Sequence, residues 1–599
     1  MAEKSSLKVK EPELSPLALD ILKMRYLSKD EAGNFTETPG RMFLRVAEDI
    51  AKADLNYLRG KQDEEKLQAY NHTVKEFYNA MTALDFLPAS PILMNAGNNL
   101  QQLFSDYVFV LRDSMKNIFG KLTNAAIIQQ NGSGCGFAFS MLRPKGDLVA
   151  GQKGVAFGPV TVMRFFDVAI GSIKQGGRRQ GGNMGILHIT HPDVLEFIRC
   201  KQDGSLKNFN ISLAITSEFM DAVRESKEVS LVNPRTGIEE KKISAKDIFN
   251  ALTESVWKLG DPGVIFIDEM NSKNPVKETV YCTGSCGQSP MHSWEGVPYA
   301  HINLSNIITE RKNHGAVGQI NFDKLKKLVH IGVHFLDNCI DMNHYQFKKS
   351  EKRCKAYRRI GLGVMGFADL LIKLRVSYDS DEALFIIKKI MEVVRDESRK
   401  ASQQMASKRS VFKNFKRSVW KDLNLKMRNV SITTVAPTGT TSIIANTSAG
   451  IEPLFALSYS GKTSTEGREY TITNPDFEHE INALRELGKL DDAAYRRMLI
   501  AGSIKNSDII GEELKRIFVT SMDIHYKWHI KVQSAFQEYL DSAISKTINM
   551  HNSATQTDIA DALFMAEKLK CKGLTIYRDR SREDQILELK KTQTKLDSF

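Results

Sequence analysis

Cysteine is scarce in this chain: seven in 599 residues, with no CxxC pair and no regular spacing. That excludes a disulfide framework and a zinc knuckle, leaves no metal-ligating set to expect, and fits a reducing, cytoplasmic setting. Long apolar runs are missing too. No stretch approaches the roughly 18 to 20 residues that cross a bilayer, and the opening "MAEKSSLKVKEPELSP" has no apolar core of the kind an export signal carries. There is no internal repeat and no low-complexity tract. The 83 basic against 71 acidic residues leave a net charge of +12, but the basic residues are spread and no aromatics interleave with them. This is not the pattern of a nucleic-acid surface; a basic, glycine-rich pocket for an anionic nucleotide accounts for it equally well.

What is present is a chain long enough for a large core, with the 42% hydrophobic and 26% charged residues of a globular protein. Residues 1–14 are polar and read as a flexible N-terminus. Ser15 as N-cap, followed by Pro16, opens a helix, and apolar spacing carries a helical region over 15–90. From "ASPILMNAG" onward strands and helices alternate. "SDYVFVL", "GSGCGFAFSML" and "PGVIFIDEM" read as strands; "DSMKNIFGKLTNAAIIQQ", "RRIGLGVMGFADLLIKL" and much of "DEALFIIKKIMEVVRDESRKASQQMA" read as helices. Such alternation predicts an α/β domain, a largely parallel sheet or barrel with helices outside. We place it at 91–545, followed by a closing segment at 546–588 and a tail at 589–599.

Three stretches carry chemistry, each with a plainer reading beside it. "VAPTGTTS" follows a β-rich run, so Pro437, Thr438, Gly439 and Thr440 form either a phosphate-binding turn at a helix start or an ordinary β–α turn. It is not a Walker A motif, since no Gly-Lys-Ser/Thr follows. "IKQGGRRQGGNMGIL" sets Gln175, Arg178 and Arg179 among glycines, as a loop closing over nucleotide phosphates or as a solvated surface loop. "TVYCTGSCGQSPMHSWEGVPYAHINLSN" is a long loop too apolar and aromatic for disorder. Its Cys286, beside Gly287, is either a reactive thiol open to a ligand or a buried inert one. Cys135 reads as a small buried filler.

Taken in order and spacing, these motifs resemble the ribonucleotide reductase large subunits, specifically the adenosylcobalamin-dependent class II branch. The landmarks run from about 15 to 588. They include "RYLSKDEAGNFTETPGRMFLRVA", "LPASPILMNAG", "HPDVLEFI", "NFNIS", "DPGVIFID", "INLS", "APTGTTS" with "GIEPLF", "SKTIN" and "KGLTIYRDRSR". The resemblance implies a ten-stranded α/β barrel with a finger loop through its centre, near 280–305, carrying a radical cysteine, Cys286, at its tip. Class I enzymes relay a radical through two adjacent tyrosines, where this chain has Thr575 and Ile576. The glycyl-radical motif of class III is not seen. A D-x-H-x-x-G cobalamin motif is absent, with Trp528 where glycine is needed, but class II enzymes lack it too. No room precedes residue 15 for the family's regulatory ATP-binding domain. By resemblance, then, the cofactor is adenosylcobalamin, with no separate radical-generating subunit. Ser90 and Pro91, Gly284 and Gly287, and the turn Pro437–Thr440 would meet a nucleotide substrate. Loops at 171–187 and 201–210, with Gln175, Arg178, Arg179, Lys207 and Asn208, would sense a nucleotide effector in a homodimer.

The match breaks at the finger. The family reads N-P-C-G-E; here it is Gly284-Ser285-Cys286-Gly287-Gln288, so an amide stands where a carboxylate base is usual. Two strand cysteines normally supply the reducing electrons. Asp106 takes the first position and Val297 or its neighbour the second, and no cysteine pair follows near the end to recharge them. Asp106, His292 and His301 bring new polar groups to the neighbourhood. The reading that results is a thiyl-radical enzyme acting on a nucleotide with redox-neutral chemistry, using Cys286, Gln288 and Asp106. The alternatives are ribonucleotide reduction with an external reductant and a catalytically inactive nucleotide sensor.

Overall fold

The computed structural model describes residues 7–152, 154–175, 179–309, 317–462, 469–581 and 587–588. Its first helices begin where their caps dictate. Ser15 Oγ accepts from the Ala18 amide ahead of Pro16–Arg25, and Thr38 Oγ1 accepts from the Arg41 amide ahead of Pro39–Ala51. Both helices carry proline in the first turn, where it gives up no helical bond. With Asp63–Thr82 they form a helical layer, and the last two pack on the barrel helix Phe322–Met342. No helix among the described residues is long and apolar enough to cross a membrane.

Ten strand segments then build the barrel. β1 (Asp106–Val110), β2 (Gly134–Ala138), β3 (Asn183–His188), β4 (Phe209–Ile215) and β5 (Gly263–Phe266) are parallel neighbours in that order. The second half runs from β6 (Tyr299–Asn303) to β7 (Gly361–Met365), a run at 433–435 (β8), β9 (Thr547–Met550) and β10 (Gly573–Arg578). β8 joins through the parallel bridges Leu362↔Thr433 and Val435↔Ile544. The halves meet antiparallel twice, at β5–β10 and where Gly296–Val297, just ahead of β6, pairs with Asp106–Tyr107. This is the ten-stranded α/β barrel.

Strand alternation divides the side chains. Tyr107, Phe109, Cys135 and Phe137 belong to the large core under the outer helices, whereas Val108, Ala138, Val297 and Tyr299 form a small cluster inside the barrel. One expectation is corrected. "RRIGLGVMGFADLLIKL" is not one helix: Gly361–Met365 is strand β7, and only Phe367–Lys373 is helical. β7 is buried on both faces, so it reads as a continuous apolar run, and a Cβ on Gly363 would stand 2.6 Å from Thr434 O. "PGVIFIDEM" likewise leaves its strand after Phe266 for the helix Ile267–Ser272. In the glycine–arginine loop, Lys174–Gln175 pairs with Arg179–Gln180. Arg178, the side chains of Gln175 and Arg179, and the tail at 589–599 lie outside the described residues.

Candidate active site

The loop over 279–306 threads the barrel as a hairpin. Its stem pairs Cys282–Thr283 with Pro290–Met291, and it runs so close to β2 that a Cβ on Gly136 would stand 1.8 Å from Thr283 O. Only glycine lets the stem pass. At the tip the Gly284 amide donates to Ser289 O (2.9 Å) and the Gly287 amide to Gly284 O (3.2 Å). Gly287 has φ +83°, a left-handed conformation that favours glycine, and nothing lies within 4 Å of where its Cβ would be. The turn therefore leaves Cys286 half-buried with open space beside it.

Behind the tip stands Asp106, 2% exposed. Its Oδ1 accepts from the Ser285 amide (3.0 Å) and Ser285 Oγ (2.6 Å), and its Oδ2 from Gln288 Nε2 (2.9 Å) and Tyr299 Oη (3.1 Å). Four donors and no acceptor is the full complement of a carboxylate. The space for it comes from two glycines: a Cβ on Gly284 would lie 2.7 Å from Oδ2, and one on Gly134 2.8 Å from Oδ1. Directly across the antiparallel seam from Asp106 is Val297. Gln288 is a clamp rather than a base. Its Nε2 faces Asp106, and its backbone oxygen accepts from Thr434 Oγ1 and the Ala543 amide.

No second thiol stands in for the missing pair. All cysteines other than Cys286 are buried. Burial pushes the Cys282 and Cys135 thiols well up, and they lie in different cores, inside and outside the barrel wall. Tyr299 is held protonated in the same way, first by burial and then by the charge of Asp106. His292 and His301 do not join the site. His292 turns to Glu295 (2.9 Å) and stacks on Tyr357 (5.3 Å). Burial raises the Glu295 carboxyl, but Arg359 at 2.7 Å and His292 outweigh it and hold Glu295 down at about 2. His301 is buried in β6 facing Gly363, and burial pushes it down to about 3, so the ring is neutral.

Cys286 opens into a cavity of about 1060 Å³. Asn210, Ser212, Asn549, Thr575, Ile576 and Tyr577 line it from the strands; Gly439 and Ser442 line it from the helix Gly439–Ile444. Of the remaining phosphate-turn residues, Thr438 is buried and its Oγ1 accepts from the Gly450 amide (2.7 Å). Pro437, Thr440, Ser90 and Pro91 do not line the cavity, and Ser90 Oγ lies 2.7 Å from Tyr26 Oη. Of the residues expected to sense an effector, Lys207 is exposed, while the Asn208 amide donates to Asp167 Oδ1 (2.9 Å) on the helix Gly158–Gly171.

Three contributors escaped the sequence reading. Ser285 sits 3.6 Å from the Cys286 sulfur and ties it to Asp106; Tyr299 supplies the fourth donor; Asn210 Nδ2 donates to Ser285 O (3.1 Å). The two-residue spacing from Val297 to Tyr299 was the available signal for an inward tyrosine.

Residues 12–101 match the family model "Ribonucleotide reductase, all-alpha domain", and 104–577 match "Ribonucleotide reductase, barrel domain". A "Vitamin B12-dependent ribonucleoside-diphosphate reductase" of Thermoplasma acidophilum is 42% identical over 99% of this chain and 83% of its own length. One of the same description from Mycobacterium tuberculosis is 36% identical over 96% of this chain and 81% of its own. In three dimensions, the alpha subunit of a class Id ribonucleotide reductase from Actinobacillus ureae aligns with TM-score 0.75, covering 96% of this chain and 98% of that one at 20% identity. That likeness is one of fold.

Proposed function

The chain belongs to the ribonucleotide reductase large-subunit family, and from that premise we propose that it is an adenosylcobalamin-dependent thiyl-radical enzyme acting on a ribonucleotide with a redox-neutral outcome. The observation that carries the altered outcome is the pair of residues facing each other across the seam behind Cys286: Asp106 and Val297, where reduction needs two thiols.

The cavity is larger than an ordinary small-molecule pocket, as a bulky cofactor requires: about 1060 Å³, above the roughly 300–1,000 Å³ usual for drug-sized ligands, and lined by a mixture of small polar and apolar groups. Asn210, Ser212, Asn549, Thr575 and Tyr577 would hold it, with Cys286 in the same wall. Bound there, adenosylcobalamin supplies a carbon radical able to take hydrogen from a thiol. The protein's part follows from its own residues. Cys286 gives up its hydrogen, and as thiyl takes the ribose 3′-hydrogen; after rearrangement, epimerisation or elimination in the substrate radical, the S–H returns a hydrogen. No electrons are consumed, in keeping with a site that holds none to give. Gln288 cannot take a proton from the 3′-hydroxyl. Gly439 and Ser442 would approach the nucleotide, and Asn208 and Asn210 link an effector loop, at a homodimer interface, to the finger.

The test is anaerobic incubation with adenosylcobalamin and a panel of ribonucleoside di- and triphosphates. The expected product is an isomer or dehydration product of the ribonucleotide, formed without dithiol. Deoxyribonucleotide formed only with dithiol overturns the redox-neutral reading. The description of the relatives as ribonucleoside-diphosphate reductases favours a second reading, net reduction by a small external reductant such as formate. It predicts deoxyribonucleotide that depends on formate and not on dithiol.

A further inference from the structure

Inside the barrel, Tyr299 is the one member of the apolar cluster that carries a hydroxyl, and that hydroxyl points at Asp106. Phenylalanine would fill the same volume, so packing alone does not explain the oxygen. A continuous chain of short contacts runs from it to the radical cysteine. Tyr299 Oη donates to Asp106 Oδ2 (3.1 Å), Ser285 Oγ donates to Asp106 Oδ1 (2.6 Å), and Ser285 Oγ lies 3.6 Å from Cys286 Sγ. The tyrosine is 2% exposed, shielded from water and external reductants.

We propose that Tyr299 is the reversible hydrogen-atom partner of Cys286, holding the oxidising equivalent as a neutral tyrosyl radical whenever the thiyl has no substrate hydrogen to take. The proposal rests on the thiyl-radical reading above. One electron passes from the phenol to the sulfur. The phenol proton moves onto Asp106 Oδ2, Ser285 turns its hydroxyl and passes that proton to the sulfur, and rotation of the carboxyl carries the phenol's proton round to Ser285 Oγ in its place. The O–H bond of Tyr299 breaks, the S–H bond of Cys286 forms, and Asp106 and Ser285 end as they began. Phenolic O–H and alkyl thiol S–H bonds are of closely similar strength, so the exchange lies near balance and runs both ways. The ordinary obstacle to oxidising a buried phenol is the proton, since a charged phenol cation in an apolar interior is prohibitive. Asp106 Oδ2 removes that obstacle. In a site with no neighbouring thiols, a stranded thiyl would otherwise attack the protein; Tyr299 gives it a place to rest.

The experiment is freeze-quench electron paramagnetic resonance on the full-length protein with adenosylcobalamin and the same nucleotide panel, with release of 5′-deoxyadenosine measured in parallel. The wild type is expected to show a tyrosyl signal that narrows with ring-deuterated tyrosine. 3-Fluorotyrosine placed at 299 alone keeps the hydroxyl and the packing and adds a fluorine splitting. Tyr299→Phe and Cys286→Ala should both lose the signal. Asp106→Asn, with no proton acceptor facing the phenol, should lower its yield by about a hundredfold or more. Release of 5′-deoxyadenosine without any tyrosyl signal overturns this proposal and leaves the enzyme reading standing. A tyrosyl signal that persists in Tyr299→Phe or shows no fluorine splitting overturns it as well. No release with any nucleotide removes the radical reading and this proposal together.

Discussion

Removing the carboxylate of Asp106 should loosen the finger, and the structure sets the scale. Hydrogen bonds to a charged group contribute about 1.5–3 kcal/mol each, and every tenfold in an equilibrium is about 1.4 kcal/mol. The Ser285 amide makes one such bond, to Asp106 Oδ1 at 3.0 Å. Losing it in Asp106→Ala should therefore speed local opening at Ser285 by about 10- to 100-fold. Asp106→Asn keeps an oxygen for Ser285 but turns an NH₂ toward Gln288 Nε2 and Tyr299 Oη, both donors. Gln288 can answer by rotating, because its Oε1 has no partner of its own. The asparagine variant should thus fall between, at about tenfold. Hydrogen exchange of the peptide spanning 282–291 reads this directly, since exchange tracks local opening; β4 amides, bonded within the barrel, serve as the control. Unchanged protection of the finger in Asp106→Ala would refute the reasoning that the carboxylate is its strut.

Cys286→Ala should abolish turnover while leaving nucleotide binding and the circular dichroism spectrum intact. Cys282→Ala, which deletes a buried sulfur in the inner cluster, should cost about 1 kcal/mol in denaturant unfolding and keep activity. Adenosylcobalamin should bind with no second protein present, measured by calorimetry, and Thr575→Trp, which crowds the cavity wall, should weaken that binding by at least about tenfold. A pH effect is expected on the outer face. Lys121 lies over the ring of Trp294 (3.7 Å), and burial, then the charges of Lys349 and Arg112, lower it to about 7. Its folded value is below its unfolded one, so the unfolded chain binds more protons between them, and stability should rise from pH 7 toward pH 10. Lys121→Met should flatten that rise in denaturant titrations at several pH values.

The long aromatic loop was plain in the sequence, because an irregular, aromatic stretch fits neither a packed helix or strand nor a solvated turn; Cys286 was singled out within it only by the family resemblance. Caps and apolar spacing placed the first helix at Ser15 and Pro16. β7 was misread because a strand buried on both faces has no alternation to show. The candidate site was half legible. Asp106 and Val297 could be matched to the positions of the missing cysteines, but not the fact that Gly134 and Gly284 are hollowed out to seat the carboxylate. His292 was grouped with the wrong neighbourhood, since proximity in sequence to the finger does not say which way a side chain turns. Its pairing with Glu295, three residues on, was the sign available.

The contact between Asn210 and Ser285 has a mechanical meaning. The carbonyl that Asn210 grips belongs to the peptide unit joining Ser285 to Cys286, while the Ser285 amide and hydroxyl are gripped by Asp106 on β1. The Cys286 sulfur is therefore slung between two staves of the barrel with two others between them. Asn208, two residues up the same chain from Asn210, is moored to the helix that leads into the glycine–arginine loop. Only Phe209 separates that mooring from the residue that holds the peptide plane beside the Cys286 sulfur.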